Sequence, residues 1–168
     1  MGNEVAAISR PDTIAPQCIE AEESTLGAIL FDPSVLLDVK AIVEPADFFI
    51  TRNQWVYEAI LELYHQQIAI DETTVATRLR QRGQYDDIGG MVRLGYLVNS
   101  TDHYMHAASY AGLVAAAAHR RRLLAFASET AQLAIEANTE VRAMFREVDQ
   151  NYRDVTVRLR SRDIVSGR

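Results

Sequence analysis

The strongest constraint in this sequence is the long stretch 107–137, which contains no proline and a single glycine. An unbroken helix over these residues would be about 45 Å long, at 1.5 Å per residue. Its apolar positions form two stripes, which together are wider than one neighbouring element would cover. The stretch therefore predicts one long helix that packs against more than one partner.

A second apolar pattern follows a predicted break at Asn138-Thr139. Its hydrophobic residues alternate by four and three, the spacing of a coiled-coil seam; they are Val141, Phe145, Val148, Tyr152, Val155 and Leu159. Two long helices with a short connection fold back on each other, and the small residues 115–118 would permit a close approach. We therefore predict a helical hairpin that protrudes from the rest of the chain.

An apolar face on such a hairpin would be exposed to water in a monomer. We therefore expect a homo-oligomer with contacts from both hairpin helices. The predicted interface residues are Tyr110, Leu113, Val114, Ala117, Leu123, Leu124, Phe126, Leu133, Val141, Phe145, Val148 and Tyr152. The alternative is that the hairpin folds down on residues 16–100 and completes one monomeric bundle.

Residues 16–100 carry repeated helix signals and lack the sustained period-two alternation of a half-buried strand. The predicted start signals are Asp32-Pro33, the capping box Thr51-Arg52-Asn53-Gln54, and Asp71. Gly83 is expected to end the helix that Asp71 begins. The whole pattern predicts an all-α chain, a small globular multi-helix bundle followed by a long protruding antiparallel helical hairpin.

The chain has 168 residues, of which 48% are hydrophobic, enough for one core with an appended helical element. We divide it into four parts. They are a flexible N-terminal segment over 1–15, a helical globule over 16–100, a hairpin for association over 101–160, and a flexible tail over 161–168.

The charge is unevenly distributed along the sequence. Residues 1–110 hold 16 acidic and 7 basic side chains, a net charge of −9, whereas residues 111–168 hold 7 acidic and 10 basic side chains, a net charge of +3. An acidic segment lacks the usual electrostatic attraction to phosphate. We therefore expect little direct nucleic-acid binding.

Neither a membrane span nor a secretion signal is expected. The longest run of small apolar residues, 111–118, is far shorter than the roughly 18 to 20 residues that a span requires. The first residues have no basic flank followed by an apolar stretch. The single cysteine, Cys18, has no partner for an internal disulfide. These features predict a cytoplasmic chain.

Residues 16–30 begin with a proline, which is followed by an acidic helical turn and then by an apolar helix with a glycine at position 27. Glycine inside a helix costs about 1 kcal/mol relative to alanine, so Gly27 indicates close packing. The string resembles the opening helix of the amino-terminal domain of replicative DnaB-type DNA helicases, where an E-A-E-x-x-x-L-G core follows a proline. Further landmarks similar to that family follow in order over residues 16–125; they include Asp47-Phe48-Phe49, Tyr57-Glu58-Ala59-Ile60, Ile88-Gly89-Gly90 and Tyr110-Ala111.

The resemblance implies a place in a helicase ring. Domains of this family pair through their helical hairpins, stack as a collar over the motor ring and receive the carboxy-terminal domain of primase. On this basis we expect a dimer in isolation, a hexamer in a full helicase, and primase or a helicase loader as partner. By position, the candidates for primase docking are Arg93, Leu124 and Thr130.

The sequence also departs from the family pattern. Arg93 precedes Leu94 where the family usually has tyrosine, and residues 102–106 replace a proline-bearing, alanine-rich turn. No G-x-x-x-x-G-K-[ST] loop is present to hold the phosphates of ATP. We therefore expect no enzymatic activity from this chain, although the parent protein would be an ATP-dependent DNA helicase.

No residue set predicts a catalytic, cofactor or metal site. His103, His106 and His119 lack the convergent cysteines or carboxylates that would complete a metal shell. Arginines 120–122 either grip a phosphate or an acidic partner, or form a solvated face that pairs with nearby carboxylates.

Three glutamates near the start of the first helix also suggest a cluster. They are Glu20, Glu22 and Glu23. With no partnered base or burial expected, we interpret them as charges that favour the positive end of the helix dipole.

Two other functions are open from the sequence. One is a stand-alone helicase-like adaptor or decoy, which would cap a host helicase or capture primase. The other is a small helical DNA-binding regulator, in which the helix around Arg78, Arg80 and Arg82 would enter the major groove. We favour a domain excised from a longer helicase, because the resemblance ends near a natural domain boundary.

Overall fold

A computed structural model of the protein describes residues 15–100, 104–136 and 140–163. Within these ranges it forms seven α-helices and no strand, so the all-α prediction is confirmed. The helices are α1 (Ile19–Phe31), α2 (Leu36–Ile42), α3 (Thr51–His65), α4 (Glu72–Gln81), α5 (Gly90–Asn99), α6 (Ala107–Ile135) and α7 (Val141–Asp163). The predictions for residues 1–14, 102–103, 138–139 and 164–168 lie outside the described residues.

The chain divides into two compact units. One is Gln17–Ala118, and the other combines Met1–Pro16 with His119–Arg168, so the division falls within α6. The four-part organisation predicted from the sequence stays a prediction. We call Gln17–Ala118 the globule, and we call the described residues of the other unit the hairpin unit.

The globule has a continuous apolar core to which all of its α-helices contribute. Leu26, Ile29, Tyr57, Leu79 and Leu94 are completely buried in it. The first turns of α6 join the same core. Gly27, the glycine within α1, is also buried, which agrees with the close packing expected at this position.

Two of the predicted helix starts are confirmed. Asp32 precedes a short 3₁₀ turn, Pro33–Val35, and its carboxylate accepts a hydrogen bond from the Ser34 backbone N–H at 3.0 Å. Hydrogen bonds from Ser34 lower the pKa of Asp32 below its usual value. Asp71 and Thr74 form a reciprocal capping box at the start of α4, with an Asp71 Oδ1 to Thr74 N distance of 2.8 Å.

Gly83 ends α4, as predicted. Its φ is +70°, the left-handed conformation that glycine adopts without strain. The Gly83 N–H donates to the Arg80 carbonyl at 3.0 Å, and the Gln84 N–H donates to the Leu79 carbonyl at 2.9 Å. These two bonds make up a Schellman motif, which satisfies carbonyls that the helix end would otherwise leave open.

The capping box predicted at Thr51 is wrong. The residue that precedes α3 is Ile50, and no side chain caps the helix start locally. Instead, the Glu22 carboxylate of α1 accepts hydrogen bonds from the Phe49 and Ile50 N–H groups at 2.6 and 3.2 Å. The Gln54 N–H, which the predicted box would have used, donates to the Ile50 carbonyl at 3.0 Å, so Ile50 and not Thr51 is the N-cap.

Replacing either of two glycines of α5 by alanine is expected to change the stability of the chain, in opposite directions. Gly90 has φ +61°, and a Cβ there would lie 3.3 Å from the Tyr85 ring, whereas a Cβ at Gly95 would meet nothing within 4 Å. We expect Gly90→Ala to cost about 1–2 kcal/mol through backbone strain. We expect Gly95→Ala to gain about 0.5–1 kcal/mol from helix propensity. Guanidinium unfolding measures both, and shifts of the same sign would contradict this account.

Candidate protein interaction surfaces

The hairpin unit contains two antiparallel helical segments. The Phe126 and Tyr152 rings lie 6.1 Å apart between centroids. Further toward the connection, both helices line a groove made of Glu129, Gln132, Leu133, Glu136, Glu147 and Asn151. Because higher numbers on α6 meet lower numbers on α7, the antiparallel arrangement predicted from the sequence is confirmed.

Large hydrophobic side chains of this unit remain exposed to solvent. Leu123 is 58% exposed, Phe145 is 65% exposed and Tyr152 is 55% exposed. The other exposed ones are Leu124, Ile135 and Val141. Pairing of α6 with α7 within one chain therefore does not cover these side chains.

The predicted interface residues divide into three groups by burial. Leu113, Leu123, Leu124, Val141, Phe145 and Tyr152 are exposed, whereas Tyr110, Phe126, Leu133 and Val148 are half-buried. Val114 belongs to the apolar core of the globule and is 1% exposed, so it offers no surface to a second chain. Ala117 is also buried, and its place in the interface stays a prediction. Ala115 lies at the edge of the same core, and the expectation that residues 115–118 permit a close approach of α7 stays a prediction.

The three candidates for primase docking do not share one unit. Leu124 and Thr130 lie on α6 in the hairpin unit, and Leu124 is exposed. The Thr130 hydroxyl donates to the Phe126 carbonyl one turn earlier, at 2.7 Å. Arg93 lies on α5 of the globule, where its side chain is only 14% exposed.

Arg93 takes part in a polar network that the sequence did not reveal. Its guanidinium lies 2.6 Å from a Glu23 carboxylate oxygen and 3.1 Å from the Asn53 side-chain oxygen. The Asn53 amide group in turn donates to Glu22 at 3.0 Å. The network joins α1, α3 and α5.

Glu20 and Glu22 lie in the first turn of α1, as expected, but the expectation that Glu22 and Glu23 have neither burial nor partners is wrong. Glu22 is 1% exposed and accepts three hydrogen bonds, and Glu23 pairs with Arg93. Only Glu20 is exposed. A signal was present in the sequence, because Glu22 shares the buried helical stripe of Leu26 and Ile29 at spacings of four and seven.

The arginines proposed for DNA reading are engaged within the globule. Arg78 bonds to Glu62 at 3.2 Å and to Gln66 at 2.5 Å. Arg82 pairs with Glu58 and Glu62. The Arg80 guanidinium lies 3.8 Å from the centroid of the Tyr85 ring. The contacts of Arg78 and Arg82 join the end of α4 to α3 and use guanidinium groups that would have met phosphate, whereas Arg80 is exposed.

Two of the arginines at 120–122 also make contacts within the chain. Arg121 donates to the Pro16 carbonyl at 2.9 Å, and an Arg122 nitrogen lies 3.3 Å from His119 Nδ1. In the part of the chain that the structure describes, no three His, Cys, Asp or Glu side chains are grouped as metal ligands. No described helix is both long and apolar enough to cross a membrane.

Comparison with known proteins places these features in one family. A family model described as the DnaB-like helicase N terminal domain matches residues 14–116. This chain belongs to the DnaB-like helicase N-terminal domain family. The part that matches is the N-terminal domain and not an ATPase domain.

Individual DnaB proteins agree with this assignment. The replicative DNA helicase DnaB of Geobacillus stearothermophilus is 30% identical over 150 residues, which are 89% of this chain and 33% of that protein. The Mycobacterium leprae DnaB helicase is 38% identical over 109 residues, which are 65% of this chain and 18% of that protein. This chain therefore spans at most about a third of the length of these helicases.

A solved structure shows the same DnaB fold. It is the crystal structure of the N-terminal domain of DnaB helicase from Mycobacterium tuberculosis, which matches with a TM-score of 0.81 and 31% identity. The match covers 84% of this chain and 99% of that one. The all-α fold of the chain is therefore that of a DnaB N-terminal domain.

Proposed function

We propose that this chain is the non-catalytic oligomerisation and partner-docking domain of a replicative DNA helicase. In this proposal it forms the collar that couples the helicase to primase, and it acts in the bacterial cytoplasm. The DnaB family assignment supports the helicase context.

The proposal that the chain forms oligomers rests on one observation. The hairpin unit has an exposed apolar face. Six large hydrophobic residues of this unit are exposed, namely Leu123, Leu124, Ile135, Val141, Phe145 and Tyr152, and we call them together its exposed apolar face. Burying one such side chain gains about 1.5–3 kcal/mol, and association costs roughly 4–15 kcal/mol in lost freedom. Two copies that cover this face on each other gain enough to associate. The isolated chain is a dimer in this account, and the full helicase is a hexamer.

The same face offers an anchor for a partner protein, either the C-terminal domain of primase or a helicase loader. Leu124 is exposed on α6, and Thr130 lies six positions further along the same helix. An exposed leucine suits the apolar anchor of a protein interface. Direct nucleic-acid contact is not part of this role, since Arg78 and Arg82 are already paired with glutamates.

Isothermal titration of the cognate primase C-terminal domain into this chain tests the docking half. We expect saturable binding, which Leu124→Ala weakens by about tenfold or more because an anchor is lost. Ser128→Ala, an exposed change on the same helix, is expected to alter the Kd by less than about twofold. Undetectable binding of the unaltered chain at high micromolar concentration would overturn the docking proposal. The mass of the chain in solution at increasing concentration tests the oligomerisation half.

A further inference from the structure

Arg93 is held from two sides within the globule. One guanidinium nitrogen lies 2.6 Å from Glu23 Oε1 of α1 and 3.1 Å from Asn53 Oδ1 of α3. The Arg93 and Glu23 side chains are each 14% exposed, so solvent screens their attraction only weakly. A partner that took the Arg93 guanidinium would have to break this pair and leave Glu23 without its cation.

Glu23 makes a second contact with α5, at Tyr96, one helical turn after Arg93. The Tyr96 hydroxyl donates to Glu23 Oε2 at 3.2 Å. The Arg93 guanidinium lies 5.1 Å from the centroid of the Tyr96 ring, within the range of a cation–π contact. One carboxylate of α1 therefore fixes two successive turns of α5.

The network continues from α5 into α3. Asn53 accepts from Arg93 with its oxygen and donates to Glu22 Oε2 with its nitrogen. Glu22 also binds the backbone N–H groups of Phe49 and Ile50 just before α3. The position of α5 is thus tied to two other helices through polar contacts as well as through the apolar core.

We propose that Arg93 is a positioning residue, which with Glu23 fixes α5 on α1 and α3 and affects partner binding through the pose of α5, whose Val92 and Tyr96 side chains are 86% and 50% exposed, instead of by contact. The proposal rests on the partner-docking function proposed above. It departs from the expectation that position 93 itself touches primase. The two roles predict different changes in the affinity for the partner when Glu23 is replaced.

Glu23→Gln separates the two roles because it leaves Arg93 in place. If Arg93 positions α5, loss of the charge on Glu23 weakens binding of the primase C-terminal domain by about threefold or more, and Arg93→Gln adds little to that loss in the double variant. If Arg93 contacts primase, Glu23→Gln releases the guanidinium, and binding is unchanged or tighter. The latter result would overturn the proposal. Glu20→Gln, an exposed change on the same helix, is the matched control.

Hydrogen exchange of the unbound chain gives a readout that does not depend on primase. Glu23→Gln is expected to speed exchange of the α5 amides by about tenfold or more, with α4 unchanged, because only α5 loses its tether. Arg93→Lys keeps the charge and is expected to restore part of the protection that Arg93→Gln loses. Unchanged α5 exchange in Glu23→Gln would overturn the proposal. A chain that shows this exchange pattern but never binds primase would instead contradict the proposed function.

Discussion

Glu22→Ala is expected to lower the free energy of unfolding by about 3–5 kcal/mol, because several desolvated donors lose their acceptor together. The Glu22 carboxylate is almost completely buried and accepts from the Phe49 N–H at 2.6 Å, the Ile50 N–H at 3.2 Å and the Asn53 amide at 3.0 Å. Each donor left without a partner costs about 1–3 kcal/mol. Alanine provides no replacement, and water has little access to the site.

Equilibrium unfolding in guanidinium, followed by helical circular dichroism, measures this loss. Glu20→Ala is the matched control, since Glu20 is an exposed glutamate in the same turn of α1. We expect the control to change stability by less than about 0.5 kcal/mol. Equal unfolding midpoints for the two variants would contradict the structural role assigned to Glu22.

The features that sequence reasoning predicted correctly are local ones. The predicted cap Asp71 bonds to Thr74 three positions further on, and the bonds around Gly83 span at most five positions, so neighbouring residues determine both. The expected box at Thr51 is wrong because the helix is capped one residue earlier, with the Gln54 N–H bonded to the Ile50 carbonyl. The contacts of Glu22 with this helix start are not local, since Glu22 lies 28 residues from Ile50. The Arg93 and Glu23 pair joins residues 70 apart, a distance over which periodicity carries no information.

The two long helices also show that the sequence predicts local structure better than contacts between distant parts of the chain. An absence of proline and a repeat of apolar residues predicted α6 and α7 as helices, and both are present. Periodicity identifies an apolar face but not what covers it. Val114 was therefore assigned to a contact between chains, whereas it belongs to the core of the globule of the same chain.

The second large effect is expected from Phe145→Asp on α7. Phe145 is 65% exposed in the single chain and is the second residue of the predicted apolar seam, one turn into α7. A carboxylate there would be desolvated without a partner when two hairpins meet, and it would also lose the aromatic contact area. We expect the dimer dissociation constant to rise by roughly 30-fold or more, which corresponds to about 2 kcal/mol.

Gln150→Asp is the control for added charge, because it places the same carboxylate on an exposed, polar position of α7. Sedimentation velocity at matched concentrations compares the two variants with the unaltered chain. We expect Gln150→Asp to leave the dissociation constant within about threefold of its original value. If both variants weakened association equally, the effect would come from charge and not from the apolar seam.

The most direct test of the account is the mass of the unaltered chain in solution. Multi-angle light scattering over a concentration series, up to high micromolar, reports that mass without any substitution. The account predicts a mass that rises from the 18.8 kDa of one chain to twice that value as concentration increases. A constant mass of 18.8 kDa at every concentration would contradict the claim that the exposed face of the hairpin unit joins two copies.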